Sequence, residues 1–299
     1  MTKAVFTTKV YPTYDDLPEV HYHFPRTYLR VAEAAVGDWI VYYEPSRISG
    51  NRTSRGGRMS YFATARVTSI EKDQTRKGHY YAYVSDYLEL DRAVPFRENS
   101  HYYESRLRRA DGKTNKGAFG RSVRPIEDIE YELILRAGFS ALLTDDDRLD
   151  DELDAVRDYT PATVDRPLIQ RVVTRPFREA AFSRQVKDAY DHTCAFTGFQ
   201  IRNGGGRSEV QAAHIRPVKD RGPDSIRNGL ALSSTVHWMF DRGLISLDED
   251  YSMLIADNRI PEAISSMFHS DRQLHVPASR IQSPHPQFIR YHRDNVFLG

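Results

Sequence analysis

The chain holds one cysteine, Cys194, among 299 residues. A single thiol excludes an intramolecular disulfide framework and any zinc site that needs two or more thiolates. No run of about 18 apolar residues occurs, so no helical membrane span is expected. The N-terminal stretch MTKAVFTTKVYPTYDD lacks the apolar core of a secretory signal, and the expected location is the cytoplasm. Net charge is scarce as well. Lys+Arg number 42 against 41 Asp+Glu, a formal +1. As an average, that neutrality argues against a nucleic-acid partner. Its distribution does not. Between Thr144 and Asp158, eight acids face only Arg148 and Arg157, which leaves the rest of the chain net basic.

What is present divides in two. The length predicts two domains, or one large one. The acidic stretch, followed by Thr160-Pro161, reads as a solvated helix or linker. The expected division is 1–139, a linker or helix at 140–170, and 171–299. The first part is rich in Tyr and β-branched residues. Asp38–Glu44, Ser60–Ile70 and His79–Leu90 read as strands, and Arg26–Val36 as a helix stopped by Gly37. Aromatic strands separated by Gly- and Arg-rich loops predict a small twisted β-barrel.

In the second part, Phe177–Tyr190 reads as an amphipathic helix. Ser208–Ile215 reads as a strand carrying His214 near its end. A loop with Pro217, Gly222-Pro223 and Asp224 leads to Asn228 and a second strand, Gly229–Leu232. Ser233 or Ser234 can cap a short helix, Thr235–Asp241, closed by Gly243. The helix puts His237 and Asp241 at i and i+4, one side of the helix, a spacing that can hold one divalent cation. Taken singly, each residue has an ordinary structural use: a helix contact, a turn, a surface histidine.

The order His214, Asn228, His237 resembles the HNH endonuclease signature within a ββα-metal finger. CAFTG (Cys194–Gly198), AAHIRP (Ala212–Pro217), GPDSIRNGLAL (Gly222–Leu232), HWMFDRGLISLDEDY (His237–Tyr251) and IRYHRDNVF (Ile289–Phe297) resemble one subfamily of bacterial HNH nucleases. The resemblance implies His214 as general base, Asn228 as the residue that pins the loop, and a metal held by His237 and Asp241. The implied ion is Mg²⁺, with Mn²⁺ and Ni²⁺ as alternatives. Many HNH enzymes place an Asp or His just before the base as a further ligand. Here that residue is Ala213, which has no donor. Many relatives also hold a structural zinc on two CxxC pairs; with one Cys, apolar packing must replace it, and Cys194 is expected in the core.

In the first part, YHFP (Tyr22–Pro25), GDWIVYYEP (Gly37–Pro45) and YFATARVTSI (Tyr61–Ile70) resemble EVE-type domains of the PUA superfamily, whose relatives read modified bases. The resemblance implies an α+β protein: a PUA/EVE-like β-barrel with flanking helices, then a ββα-metal HNH domain. A reader of this kind flips a base into an aromatic pocket. Trp39, Tyr43, Tyr22 and Phe24 are the candidate pocket residues. Arg106, Arg108, Arg109 and Lys116 here, with Arg216 and Lys219 near the finger, are candidate contacts to the DNA backbone. Arg52, Arg55 and Arg58 in the Ser49–Arg58 loop could also track phosphates.

The expected activity is a modification-dependent, type IV-like restriction endonuclease acting on double-stranded DNA that carries 5-methyl- or 5-hydroxymethylcytosine. One finger cuts one strand, so a double-strand break implies a homodimer or two recruited copies. The alternatives are an HNH enzyme whose first domain reads another mark or plain sequence, and a binding protein with a decayed metal site. A reader of modified RNA is a variant of the second.

Overall fold

The computed structural model describes residues 2–51, 53–140, 174–257 and 259–299. The acidic stretch, Arg52 and nearly all of the expected linker lie outside the described residues. The chain forms two compact units, Met1–Arg178 and Glu179–Gly299. No helix among the described residues is long and apolar enough to cross a membrane.

In the first unit the aromatic and β-branched runs become strands. They are β1 (Ala4–Thr7), β2 (His21–Pro25), β3 (Trp39–Glu44), β4 (Ser60–Lys72) and β5 (His79–Pro95). A short hairpin, β6 (Arg97–Glu98) and β7 (His101–Tyr102), precedes β8 (Val123–Pro125). The main sheet has the order β2-β5-β4-β3-β1-β8. β1 runs parallel to β3, and the other pairs are antiparallel. Register shifts interrupt the long β4–β5 ladder at three places. Such irregularities sharpen the local twist, and the sheet curls into a half-barrel. The expected small twisted β-barrel is thus met in part, as an open, curled sheet. Among the described residues β2 and β8 remain the two edges, and the three-residue β8 is short for a closing strand.

Among the described residues three helices flank this sheet: α1 (Leu29–Ala34), α2 (Lys116–Phe119) and α3 (Asp128–Gly138). The α3 start is fixed by a reciprocal Glu127–Glu130 capping box. One sheet face carries the core of Phe6, Tyr22, Phe24, Ile40, Tyr42 and Val67. The other is covered too. Tyr43 packs on Tyr61 and Phe119 at 5.3 and 5.5 Å between ring centres, and the Tyr131 hydroxyl of α3 bonds to Thr64. All six residues of β3 are therefore buried. Beside it lies a buried ion pair. Arg124 donates from Nε and Nη2 to the two Glu104 oxygens, each at 2.6 Å. Tyr61 donates to the same carboxylate at 2.5 Å.

The second unit is built around the strand–loop–strand–helix segment. Helix α4 (Arg175–Ala189), which begins in the first unit, supplies Ala181, Phe182 and Val186 as buried residues. β9 (Gln211–His214) pairs antiparallel with β10 (Gly229–Leu232), and α5 (Ser234–Asp241) follows. A hairpin, β11 (Ile245–Leu247) with β12 (Met253–Ile255), leads through α6 (Glu262–Ser265) to α7 (Pro286–Asn295). Gly243, at φ +69°, ends α5, and a β-carbon there would lie 2.0 Å from the Val296 carbonyl oxygen.

Candidate active site

The site is a loop clamped between two short strands and a helix. Antiparallel pairing sets Gly229 opposite His214, so the loop from Arg216 to Asn228 must close on itself. Asn228 makes that closure. It is fully buried. Its Oδ1 accepts the Arg216 N–H at 2.8 Å. Its Nδ2 donates to the carbonyls of Arg216, at 3.0 Å, and Pro223, at 2.9 Å. The loop is so tight at Gly222 that a β-carbon would stand 1.7 Å from the Arg216 carbonyl oxygen. Only glycine passes at that separation.

His214, at the end of β9, is held from two sides. Its ring stacks on Phe182 of α4, 3.9 Å between centres and 13° from parallel. Its Nε2 lies 2.9 Å from Oδ1 of Asp224, a residue only 7% exposed. A carboxylate accepts and does not donate, so Nε2 carries the hydrogen and Nδ1 of the neutral ring is the acceptor. Asp224 was read from the sequence only as a turn former. Its place in the GPD word, before the closing Asn228, was the available signal.

His237 and Asp241 meet as their spacing predicts, with Nε2 and Oδ2 3.5 Å apart and 22% and 53% of their side chains exposed. Gln211, at the far end of β9 from His214, accepts the His237 Nδ1–H at 2.9 Å. That bond makes Nδ1 the donor and turns Nε2 toward the carboxylate. With the ring in its neutral, metal-binding form, both atoms are available as ligands to one cation. The pair thus fits a divalent ion that completes its shell with water and substrate oxygens. Ala213 is buried in the β9–β10 ladder and adds no donor. Among the described residues no group of three or more His, Cys, Asp or Glu side chains forms. The structure thus brings together two pairs, His214–Asp224 and His237–Asp241, rather than one cluster.

The supports of α5 differ in part from the expectation. Ser233 precedes the helix, but its side chain does not cap it. Its hydroxyl lies 3.7 Å from the Cys194 thiol, which in turn accepts the Ser233 N–H at 3.3 Å. The Glu209 carboxylate instead accepts the Ser234 N–H at 2.9 Å, where the helix dipole favours negative charge. Cys194 is fully buried, as expected. At the other end of α5, the Nε2 of buried His292 donates to the Phe240 carbonyl at 3.1 Å, and its ring stacks on Phe240. Desolvation lowers the pKa of His292 to about 4.

The remaining candidates fall into two groups. Trp39, Tyr43, Tyr22 and Phe24 are 7%, 1%, 3% and 0% exposed. All four are buried, so in this structure none presents an exposed ring to a base. A curled sheet covered on both faces buries both rows of a strand. Arg106, Arg108, Arg109 and Lys116 are exposed. Arg106 lines a cavity of about 490 Å³ with Asn115, Arg121 and Arg124. Arg108 and Arg109 line a second, of about 410 Å³, with His101 and Tyr102. Arg58 is tied to the buried Glu44 at 2.7 Å, and Arg124 to Glu104, so neither is a loose cation. In the second unit Lys219 is exposed. The Arg216 Nε donates to the Asp220 carbonyl at 2.7 Å, and its guanidinium lies over the Tyr291 ring.

Solved structures with similarity to this chain include the following three. The modification-dependent TagI restriction endonuclease shares 16% identity, over 98% of this chain and 81% of that one, with a TM-score of 0.32. Rpa0253 from Rhodopseudomonas palustris shares 17%, over 48% of this chain and 95% of that one, also at 0.32. The type IV phosphorothioation-dependent restriction endonuclease ScoMcrA shares 14%, over 79% and 46%, at 0.18. No curated protein matches the chain. Residues 194–248 match the family HNH_2, described as HNH endonuclease. The segment that holds His214, Asp224, Asn228, His237 and Asp241 is therefore an HNH endonuclease domain.

Proposed function

We propose that the protein is a modification-dependent restriction endonuclease that hydrolyses double-stranded DNA. The observation that carries this reading is the His214 ring. It is stacked by Phe182 and held at Nε2 by Asp224, with Nδ1 as acceptor, in the HNH endonuclease domain. In this reading His214 Nδ1 takes the proton from the water that attacks the phosphodiester phosphorus. Asp224 keeps the ring oriented and stabilises the imidazolium that forms. Asn228 holds the loop that places both. His237 and Asp241 hold the divalent ion, with Mg²⁺ first and Mn²⁺ or Ni²⁺ as alternatives. When bound, that ion stabilises negative charge on the phosphate and on the leaving 3′-oxygen. The products are a 5′-phosphate and a 3′-hydroxyl.

The first unit is proposed to read a modified cytosine, 5-methyl or 5-hydroxymethyl, by base flipping as in an EVE-like reader. The two cavities described above fall in the size range of ligand pockets, and Arg106, Arg108, Arg109 and Lys116 supply charge for the backbone. The test is one cleavage panel. Plasmids carrying C, 5-methyl-C, 5-hydroxymethyl-C or glucosylated C are incubated with Mg²⁺, Mn²⁺ or Ni²⁺. Cleavage confined to the 5-methyl-C plasmid, the 5-hydroxymethyl-C plasmid or both is the expected result. Equal cleavage of unmodified plasmid would remove the modification reading and leave the nuclease.

A further inference from the structure

Helix α5 has a third face that neither the core nor the metal pair uses. Val236, Met239 and Phe240 are buried, and His237 and Asp241 form the polar pair. Trp238 and Arg242 stand at i and i+4 on the adjacent side. Trp238 is 53% exposed, although an indole buries more apolar area than most side chains. The Arg242 guanidinium lies 4.6 Å from the centre of that ring. Stacking holds the guanidinium plane in place, so it loses less freedom when it meets an anion.

We infer that Trp238 and Arg242 form a DNA-contact element beside the metal pair, taking the sugar–phosphate backbone next to the scissile phosphate. This rests on the nuclease reading and names two residues for it. The occupant follows from charge and place. A cation stacked on an exposed indole, one helix position from His237 and Asp241, complements a polyanion held at that pair. Arg242 is a partner for a phosphate oxygen, and the indole covers the adjoining deoxyribose. The pair therefore positions the strand and takes no proton. Its loss weakens binding more than it slows the chemical step.

The chain has two tryptophans, and Trp39 is buried. Iodide in water therefore reaches Trp238 alone in the unmodified fluorescence pattern, and Trp238→Phe assigns that signal. The experiment uses full-length His214→Ala protein, which leaves the DNA intact, and a fluorescein-labelled duplex with or without 5-methylcytosine. Anisotropy reports binding, and iodide quenching reports the ring. The inference expects duplex binding to shield Trp238. It expects Arg242→Ala and Trp238→Ala each to weaken binding by about tenfold, with the salt slope of the Arg242 variant reduced by about one. In proteins with His214 intact, those substitutions raise KM and leave kcat nearly unchanged. Binding with unchanged iodide access would overturn the inference and leave the nuclease reading standing. Absence of binding to either duplex would overturn both. Shielding that rises with protein concentration in the absence of DNA would show a second copy on this face and would also overturn it.

Discussion

At the residue scale, the site depends on a few side chains that each do one job. Asp224→Asn keeps the size of the side chain but can present an amide donor to Nε2, which would turn the His214 tautomer. We expect kcat to fall about 10- to 1,000-fold with KM little changed, measured as steady-state cleavage of a defined duplex. Asn228→Ala leaves three backbone groups without their partner. Each unsatisfied buried group costs about 1–3 kcal/mol, so urea unfolding should show a loss of several kcal/mol in a finger that is then poorly ordered. In the first unit, Arg124→Met strands the Glu104 carboxylate in the core. Breaking a buried pair from one side costs about 3–5 kcal/mol. The double variant Arg124→Met/Glu104→Leu should recover much of that loss in the same measurement.

At the scale of elements, α5 is held at both ends by parts distant in sequence. Glu209 sits at its N-terminus and His292 of α7 at its C-terminus. His292 makes the second contact sensitive to pH. Its folded pKa, about 4, is below the ordinary value of 6.5 because burial disfavours the charged ring. Between those values the unfolded chain takes up a proton that the folded chain refuses. Stability is therefore full above about pH 6.5 and falls as pH drops toward 4, by about 3 kcal/mol in all. His292→Gln should flatten that part of the stability–pH curve, followed by denaturant midpoints from pH 7 to 4. These elements were unequally legible. β10 matches its expected bounds and α5 starts one residue early, because turn formers and apolar spacing are local signals, whereas β9 spans only half of the expected Ser208–Ile215. Phe182 on His214 and His292 on Phe240 were not legible, since each joins residues distant in sequence that only the fold brings together. The burial of Trp39, Tyr43, Tyr22 and Phe24 depends on the fold in a related way. Alternation predicts which residues share a face but not whether a second layer covers it.

At the scale of the whole molecule, a formal charge of +1 conceals unlike parts. Arg106, Arg108, Arg109 and Lys116 are exposed and Arg124 is neutralised in the core, so fewer cations face solvent than the sequence count suggests. Affinity for unmarked DNA should accordingly be modest at physiological salt and fall steeply as salt rises. One HNH finger cuts one strand, so double-strand cleavage implies two copies acting together. Gel filtration with duplex bearing the mark should show a dimeric complex, and a monomer under all conditions would contradict that. The central claim is that His214 activates water in this domain. The direct measurement is cleavage of marked plasmid by wild-type and His214→Ala protein, with duplex binding followed in parallel. The account predicts that cleavage falls by orders of magnitude while binding persists. Cleavage retained at the wild-type rate in the His214→Ala protein would contradict it.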